Sequence, residues 1–309
     1  MRYARVLEGL PKSQGTHAAG VVIGDVPLNE ILPLCVDKDK QPMSQFEMKP
    51  LEETGLLKMD FLGLKTLTVI REACNLVKDI HGVEIDEENL PRDEADTFKL
   101  LNRGDTTGVF QVESKGMRDL LRQFQVSRFE DLIMLIALYR PGAMDLIPDT
   151  IERRHGRQTI TYMHPLLEGV LKETYGTIVY QEQVQQASKT LAGFTLAQGD
   201  VWRRAMGKKN PEEMAKQRAG FVEGCQKTNN MPPKQAGEIF DTIEKFASYG
   251  FNKSHSAAYA EVAYRTAYLK AHYPAEFMSA LMSSEIGNSE KLQFFVNEAR
   301  ESGLQVLPP

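Results

Sequence analysis

LLKMDFLGLKTLTVIREACNLVKDI, residues 56–80, contains the change of texture that decides the fold. Its first part is extended. Alternate side chains of a strand point to opposite faces, so Leu57, Met59 and Phe61 share one side and Lys58 and Asp60 the other. The apolar side is expected to be buried, which leaves a lysine and a carboxylate presented together. From Thr66 onward the period changes: Val69, Ile70, Ala73, Cys74, Leu76, Val77 and Ile80 fall on one face at helical spacing.

Upstream of this stretch the chain keeps its extended character. Short runs at 20–23, 43–46 and 56–61 are separated by proline, glycine and an Asp37-Lys38-Asp39 turn, the composition of a small β-rich piece. Downstream, helix dominates. Ser127-Arg128-Phe129-Glu130 reads as a capping box ahead of the apolar run 132–138, which ends before Pro141. Asn210-Pro211-Glu212-Glu213 is a second start, with proline at the first helical position. The expected class is α+β, a small β-rich region followed by a large, mainly α-helical one.

The chain has 309 residues, of which 42% are hydrophobic and 26% charged, an ordinary globular composition with room for about two domains. No run approaches the roughly 20 apolar residues of a membrane span, and residues 1–12 are too polar for a signal peptide. A cytoplasmic protein without membrane contact is expected. Cys35, Cys74 and Cys225 lie far apart with no C-x-x-C pair, and read as reduced and structural.

The net charge of −5 gives no general affinity for nucleic acid, so anion binding must come from local clusters. One such cluster is Arg203, Arg204, Lys208, Lys209, Lys216 and Arg218, set against Glu212 and Glu213. A solvated helix face is the ordinary reading of such a run. This one is also expected to straddle a helix end, a turn at Gly207 and the next helix N-terminus, where backbone N–H groups and the helix dipole favour phosphate. A second group, Asn252, Lys253, Ser254 and His255, combines an amide, a cation, a helix N-cap assigned to Ser254 and an imidazole ahead of a long helix. The stripe Tyr259, Val262, Ala263, Thr266, Tyr268 and Leu269 reads as core, and His155 and His164 have no motif behind them.

KMDFLGLKTLT (58–68) resembles the third catalytic motif of the family C DNA polymerases, the family of the bacterial DNA polymerase III alpha subunit. HAAGVVI (17–23), TGVFQVESKG (107–116), YRPG (139–142), YGTIVYQEQV (175–184), RRAMGKK (203–209), YGFNKSHSAAYA (249–260) and LKAHYPAEFM (269–278) resemble the same family in the same order, over essentially the whole chain. The resemblance implies the end of a thumb in residues 1–15, the second half of a nucleotidyltransferase-type palm in 16–65 and fingers in 66–309. It implies template-directed nucleotidyl transfer with two Mg²⁺ ions, Asp60 as a catalytic metal ligand and Lys58 beside it facing the phosphates. Arg203, Arg204, Lys208, Lys209, Asn252, Lys253, Ser254 and His255 are then nucleotide-binding candidates.

Family C palms hold three catalytic carboxylates. Two belong to an Asp-x-Asp motif that precedes HAAGVVI in the family and has no counterpart here, so the chain by itself is expected to be inactive. Asp37 and Asp39 have the right spacing but the wrong place. The implied partners are primer-template DNA and an incoming deoxynucleoside triphosphate, with the sliding clamp and other replicase subunits reached through segments beyond this sequence. Ala143, Gln185 and Trp202 depart from the family pattern, and none is expected to touch a proposed catalytic group. The alternative is a non-catalytic helical module that binds nucleotide or nucleic acid. Another class of phosphoryl-transfer enzyme lacks support, since the chain has no G-x-x-x-x-G-K-[ST] loop.

Overall fold

A computed structural model describes residues 2–10, 15–208, 211–247 and 250–307, with the side chains at 2, 4, 206–208, 211 and 247 outside that description. The chain divides into two compact units, Met1–Leu64 and Lys65–Pro309. The first is small and β-rich and the second is helical, an α+β chain in which the classes are segregated.

The first unit runs α1 (Arg2–Leu7), β1 (Gly20–Ile23), β2 (Leu34–Val36), β3 (Pro42–Ser44), α2 (Met48–Glu53) and β4 (Leu57–Asp60). β2 and β3 form an antiparallel hairpin, with Cys35 opposite Met43. Its turn is closed by Asp37, whose Oδ1 accepts the N–H groups of Asp39 and Gln41 at 2.9 and 2.8 Å. That bonding is the work of a turn aspartate. β1 pairs antiparallel with β4, placing Gly20 opposite Asp60, Val21 opposite Met59, Val22 opposite Lys58 and Ile23 opposite Leu57.

This ribbon buries the face opposite to the one the alternation pointed to. Leu32, Leu51 and Leu56 form a small core joined by Val22, Leu28, Ile31 and Leu34. Leu57, Met59 and Phe61 are instead 57%, 42% and 63% exposed, and Val21 and Ile23 lie open beside them. A two-stranded ribbon has two faces, and here only the Val22 side is covered by neighbouring chain. Period-two patterning identifies two faces but cannot say which one finds a partner.

The second unit opens with α3 (Lys65–His81), whose Val69, Ile70, Ala73 and Val77 are buried as the sequence predicted, while Ile80 lies outside the seam at 63% exposure. α4 (Ala95–Arg103) is capped by Glu94, which accepts from the N–H groups of Asp96 and Thr97, and it stops at Gly104 in the left-handed region. α5 (Lys115–Phe124) is capped by Ser114. α6 (Phe129–Leu138) is buried on nearly every side and forms the middle of the largest core with α4, α5, α7 (Ile147–Arg154) and the central part of α13 (Lys253–His272). The capping box expected at Ser127 to Glu130 is not what forms. The N-cap is Arg128, and the carboxylate that reaches back to the Ser127 N–H is Asp131, at 3.1 Å.

A second core gathers α8 (Glu168–Leu171), α9 (Gln181–Ala192), α10 (Leu196–Lys208), α11 (Pro211–Asn229) and α12 (Pro233–Ala247) around Trp202, Phe221 and Phe240. α11 begins at Pro211 as expected. α10, however, continues through Gly207 to Lys208, so the predicted turn at Gly207 is helix. A single glycine costs a helix only about 1 kcal/mol, which neighbouring packing readily offsets. α14 (Pro274–Ser284) and α15 (Ser289–Glu301) close the unit, packing Phe277, Leu281 and Phe295 with α3 and the end of α13. Among the described residues Cys35, Cys74 and Cys225 form no disulfide. Among the described residues no helix is long and apolar enough to cross a membrane.

Candidate functional site

In the first unit the ribbon register assembles a small polar group. Lys58 Nζ donates to Asp60 Oδ1 at 2.6 Å. That hydrogen bond, assisted by the lysine charge, holds the Asp60 carboxyl below its ordinary range. His17 Nδ1 accepts the N–H groups of Gly20 and Ala19 at 2.7 and 3.2 Å. Its 3.8 Å approach to Asp60 Oδ1 is therefore not an ion pair, because the lone pair of that nitrogen is already used. Gly20 is tightly enclosed: a Cβ there would lie 2.9 Å from Lys58 Cε, 3.0 Å from His17 Nδ1 and 3.2 Å from Asp60 Oδ1. His17 and Gly20 belong to HAAGVVI, whose sequence alone does not mark them as site residues. Only the β1–β4 register brings them to Asp60.

Two Mg²⁺ ions need several carboxylates to hold them and offset their charge. Among the described residues no group of three His, Cys, Asp or Glu side chains could hold a metal ion. Asp60, with a lysine already on one oxygen, does not fit a two-metal site by itself.

In the second unit, two groups that the sequence offered separately are brought together. Tyr180 and Phe251 form an isolated parallel bridge just before α9 and α13. Gln181 donates its backbone N–H to Phe251 O at 2.8 Å and its side-chain amide to Gly250 O at 3.2 Å. The same side chain accepts from Arg203 Nη1 at 3.1 Å, so α10 is tied to the turn that starts α13. That turn is capped by Asn252, whose Oδ1 accepts the His255 N–H at 2.8 Å; Asn252, and not Ser254, is the N-cap. Its side-chain carbonyl occupies one of the free N–H groups that would otherwise attract an anion.

The arginine pair shares one carboxylate. Asp200 Oδ1 accepts from Arg203 Nε and Nη2 at 3.1 and 2.9 Å, and Oδ2 faces Arg204 Nε at 2.8 Å. These bonds, the one from Arg203 first, hold the Asp200 carboxyl below its ordinary value. Arg203 is 26% exposed at its side chain and Arg204 69%. Gln185 donates to the same Asp200 Oδ1 at 3.2 Å, which brings α9 to the carboxylate that holds the arginines. Trp202 is fully buried, stacked on Phe221 with ring centroids 5.2 Å apart.

The remaining candidates separate. Lys253 turns to Glu173, with both carboxylate oxygens at 2.8 Å, and lies over the Tyr180 ring. Ser254 is exposed. The exposed His255 ring lies in a row with Phe251, Tyr259 and Phe110, at centroid spacings of 5.4, 4.2 and 5.2 Å. Arg140 covers Phe251 at 4.6 Å. Tyr259 is thus only partly core. Arg218, counted in the basic cluster, pairs with Asp241 at 2.8 Å. Lys209 and the side chain of Lys208 lie outside the described residues.

Comparison with known proteins gives two family matches. Residues 1–63 match the family model for the bacterial DNA polymerase III alpha NTPase domain, and residues 66–229 that for the bacterial DNA polymerase III alpha subunit finger domain. The chain is 49% identical to the DNA polymerase III subunit alpha of Thermus aquaticus over 98% of its length, covering 25% of that protein. It is 52% identical to the subunit from Caulobacter vibrioides over 98% of its length and 26% of the relative. For the Escherichia coli K12 subunit the figures are 48%, 99% and 27%. The chain therefore spans about a quarter of the length of the curated relatives it matches.

Proposed function

The chain belongs to the bacterial DNA polymerase III alpha subunit family, and we propose that it is the nucleotide-binding portion of a DNA-directed DNA polymerase of chromosomal replication. On this reading 1–15 ends a thumb, 16–65 is part of a palm and 66–309 forms fingers. Such a polymerase works on cytoplasmic DNA, meeting primer-template and a deoxynucleoside triphosphate, and reaches the sliding clamp through parts beyond this chain.

The observation that carries the reading is the link from Arg203 through Gln181 to the turn before α13. It joins an arginine pair and the Asn252-capped start of a long helix into one hydrogen-bonded strip. A planar guanidinium can grip phosphate oxygens through two parallel N–H groups. Phosphoryl transfer asks the protein mainly for such positioning and charge. Asp60 is proposed as one metal ligand, with Lys58 beside it. The other carboxylates must come from the remaining length of the polymerase, and this chain alone is proposed to be inactive.

Calorimetric titration of dGTP into this chain tests the fingers part. Replacing both Arg203 and Arg204 with alanine should weaken binding by at least about tenfold, roughly 1.4 kcal/mol. Unchanged affinity would remove the arginines from the site. In the full-length polymerase, Asp60→Asn should abolish primer extension and leave primer-template binding intact.

A second reading, a binding module without catalysis, is favoured because, among the described residues, no group of three metal-ligating side chains forms around Asp60. Extension at near wild-type rate by the Asp60→Asn polymerase would bring it forward.

A further inference from the structure

Asp200 occupies an unusual position for an acid beside a phosphate-binding pair. One turn of helix brings Arg203 and Arg204 to it at i+3 and i+4, and it accepts from both. Arg203 is spent on this arrangement: Nε and Nη2 go to Asp200, and Nη1 goes to Gln181. Arg204 meets Asp200 through Nε, while most of its side chain is exposed. Gln185, one turn along α9 from Gln181, adds its own N–H to Asp200 Oδ1. α9 thus holds both ends of the Arg203–Asp200 unit, and the close packing at Gly199 against Ser188 and Gln185 leaves α10 little room to slide.

We infer that Asp200 is a positioning residue: with Gln181 and Gln185 it fixes Arg203 as a strut and sets Arg204 outward to receive a polyphosphate. The inference rests on the reading of the arginine pair as the triphosphate-binding group, and it assigns the direct phosphate contact to Arg204 and the supporting role to Arg203. Its physical content is pre-organisation. A guanidinium already held by its Nε side gives up less rotamer freedom on binding than one swinging in solvent. The competing effect has the opposite sign, because removing a carboxylate next to two arginines raises the local positive charge and by itself tightens anion binding. The direction of the Asp200 effect therefore separates the two.

The test is calorimetric titration of sodium tripolyphosphate into the 309-residue chain at constant ionic strength. Asp200→Asn keeps the size of the side chain but turns an N–H₂ toward one arginine, and it should weaken binding about tenfold. Asp200→Glu should recover at least half of that loss. Gln185→Met, which leaves the carboxylate in place, should cost about two- to threefold. Circular dichroism and the melting midpoint of each variant should match the parent, since Asp200 is a partly exposed surface group. Tighter or unchanged binding in Asp200→Asn, with Arg204→Ala still weakened, overturns the inference alone. Failure of the parent chain to bind, or undiminished binding by the Arg203/Arg204 double alanine variant, overturns the triphosphate reading and the inference with it.

Discussion

Gly20 and Asp60 face each other across the β1–β4 ribbon, and a Cβ on Gly20 would fall 3.2 Å from Asp60 Oδ1 and 2.9 Å from Lys58 Cε. The glycine is the floor on which the Lys58–Asp60 pair lies. Gly20→Ala should push the lysine off the carboxylate and let the Asp60 pKa rise toward its ordinary value, since the Lys58 hydrogen bond is the main cause of its depression. A carbon-detected NMR titration of the aspartates in both chains reads this directly. An Asp60 midpoint unchanged by the substitution would show that the pair adjusts around the methyl group.

Asp131 is completely buried and collects Arg128 Nε at 2.9 Å, the Tyr175 hydroxyl at 3.0 Å and the Ser127 N–H at 3.1 Å. Asp131 is buried but Arg128 keeps 41% of its side chain in solvent, so removing the carboxylate strands hydrogen-bond donors more than a buried charge, a cost of roughly 1–3 kcal/mol. Asp131→Ala should lower the urea midpoint of the helical unit accordingly. A loss below about 1 kcal/mol, the usual worth of an exposed pair, would mean that water reaches the site.

Acid should weaken the cap of α4. Burial alone would raise the Glu94 pKa, but the N–H groups of Asp96 and Thr97, the Thr97 hydroxyl and His272 prevail and bring it from 4.5 down to about 2. A carboxyl depressed on folding contributes stability that is fully present above its unfolded pKa, near 4.5, and is lost as pH falls toward about 2. The contribution is at most roughly 3 kcal/mol. Denaturation curves between pH 6 and pH 2 (chosen to bracket this window) should fall less steeply for Glu94→Gln than for the parent. Parallel curves would count against the assignment.

The chain has one tryptophan, and it is fully buried against Phe194, Phe221 and Phe240. Its emission should lie at short wavelength in the folded protein and shift to the red on unfolding. Trp202→Leu should destabilise this core through the cavity it leaves, by roughly 3 kcal/mol on the scale of large-to-small replacements. Equal denaturation midpoints would show that the core closes around leucine.

Local pattern carried far along this chain. The buried face of α3, the start of α11 at Pro211, the stop of α6 before Pro141 and the strands at 20–23 and 57–60 follow from period, proline and turn chemistry. Each is set by residues within a few positions of one another. The misreadings share the opposite property. Gly207 favours a turn by its own propensity, yet α10 runs through it to Lys208. Ser127 and Ser254 looked like caps because their types suit the role, whereas Asp131 and Asn252 hold the geometry.

The sequence by itself determined that a short β-rich segment with an isolated Lys58–Asp60 pair precedes a long helical region, and that Arg203 and Arg204 lie on a helix ahead of Pro211. Tertiary structure alone decided what those groups touch. Gln181 joins Arg203 to a turn about seventy residues further along from itself, Gln185 and the two arginines converge on Asp200, and His17 and Gly20 meet Asp60 across a ribbon. Periodicity encodes which face of an element is apolar. Which elements meet, and so which polar atoms share a hydrogen bond, depends on how whole helices and strands pack, and that is a property of the assembled chain.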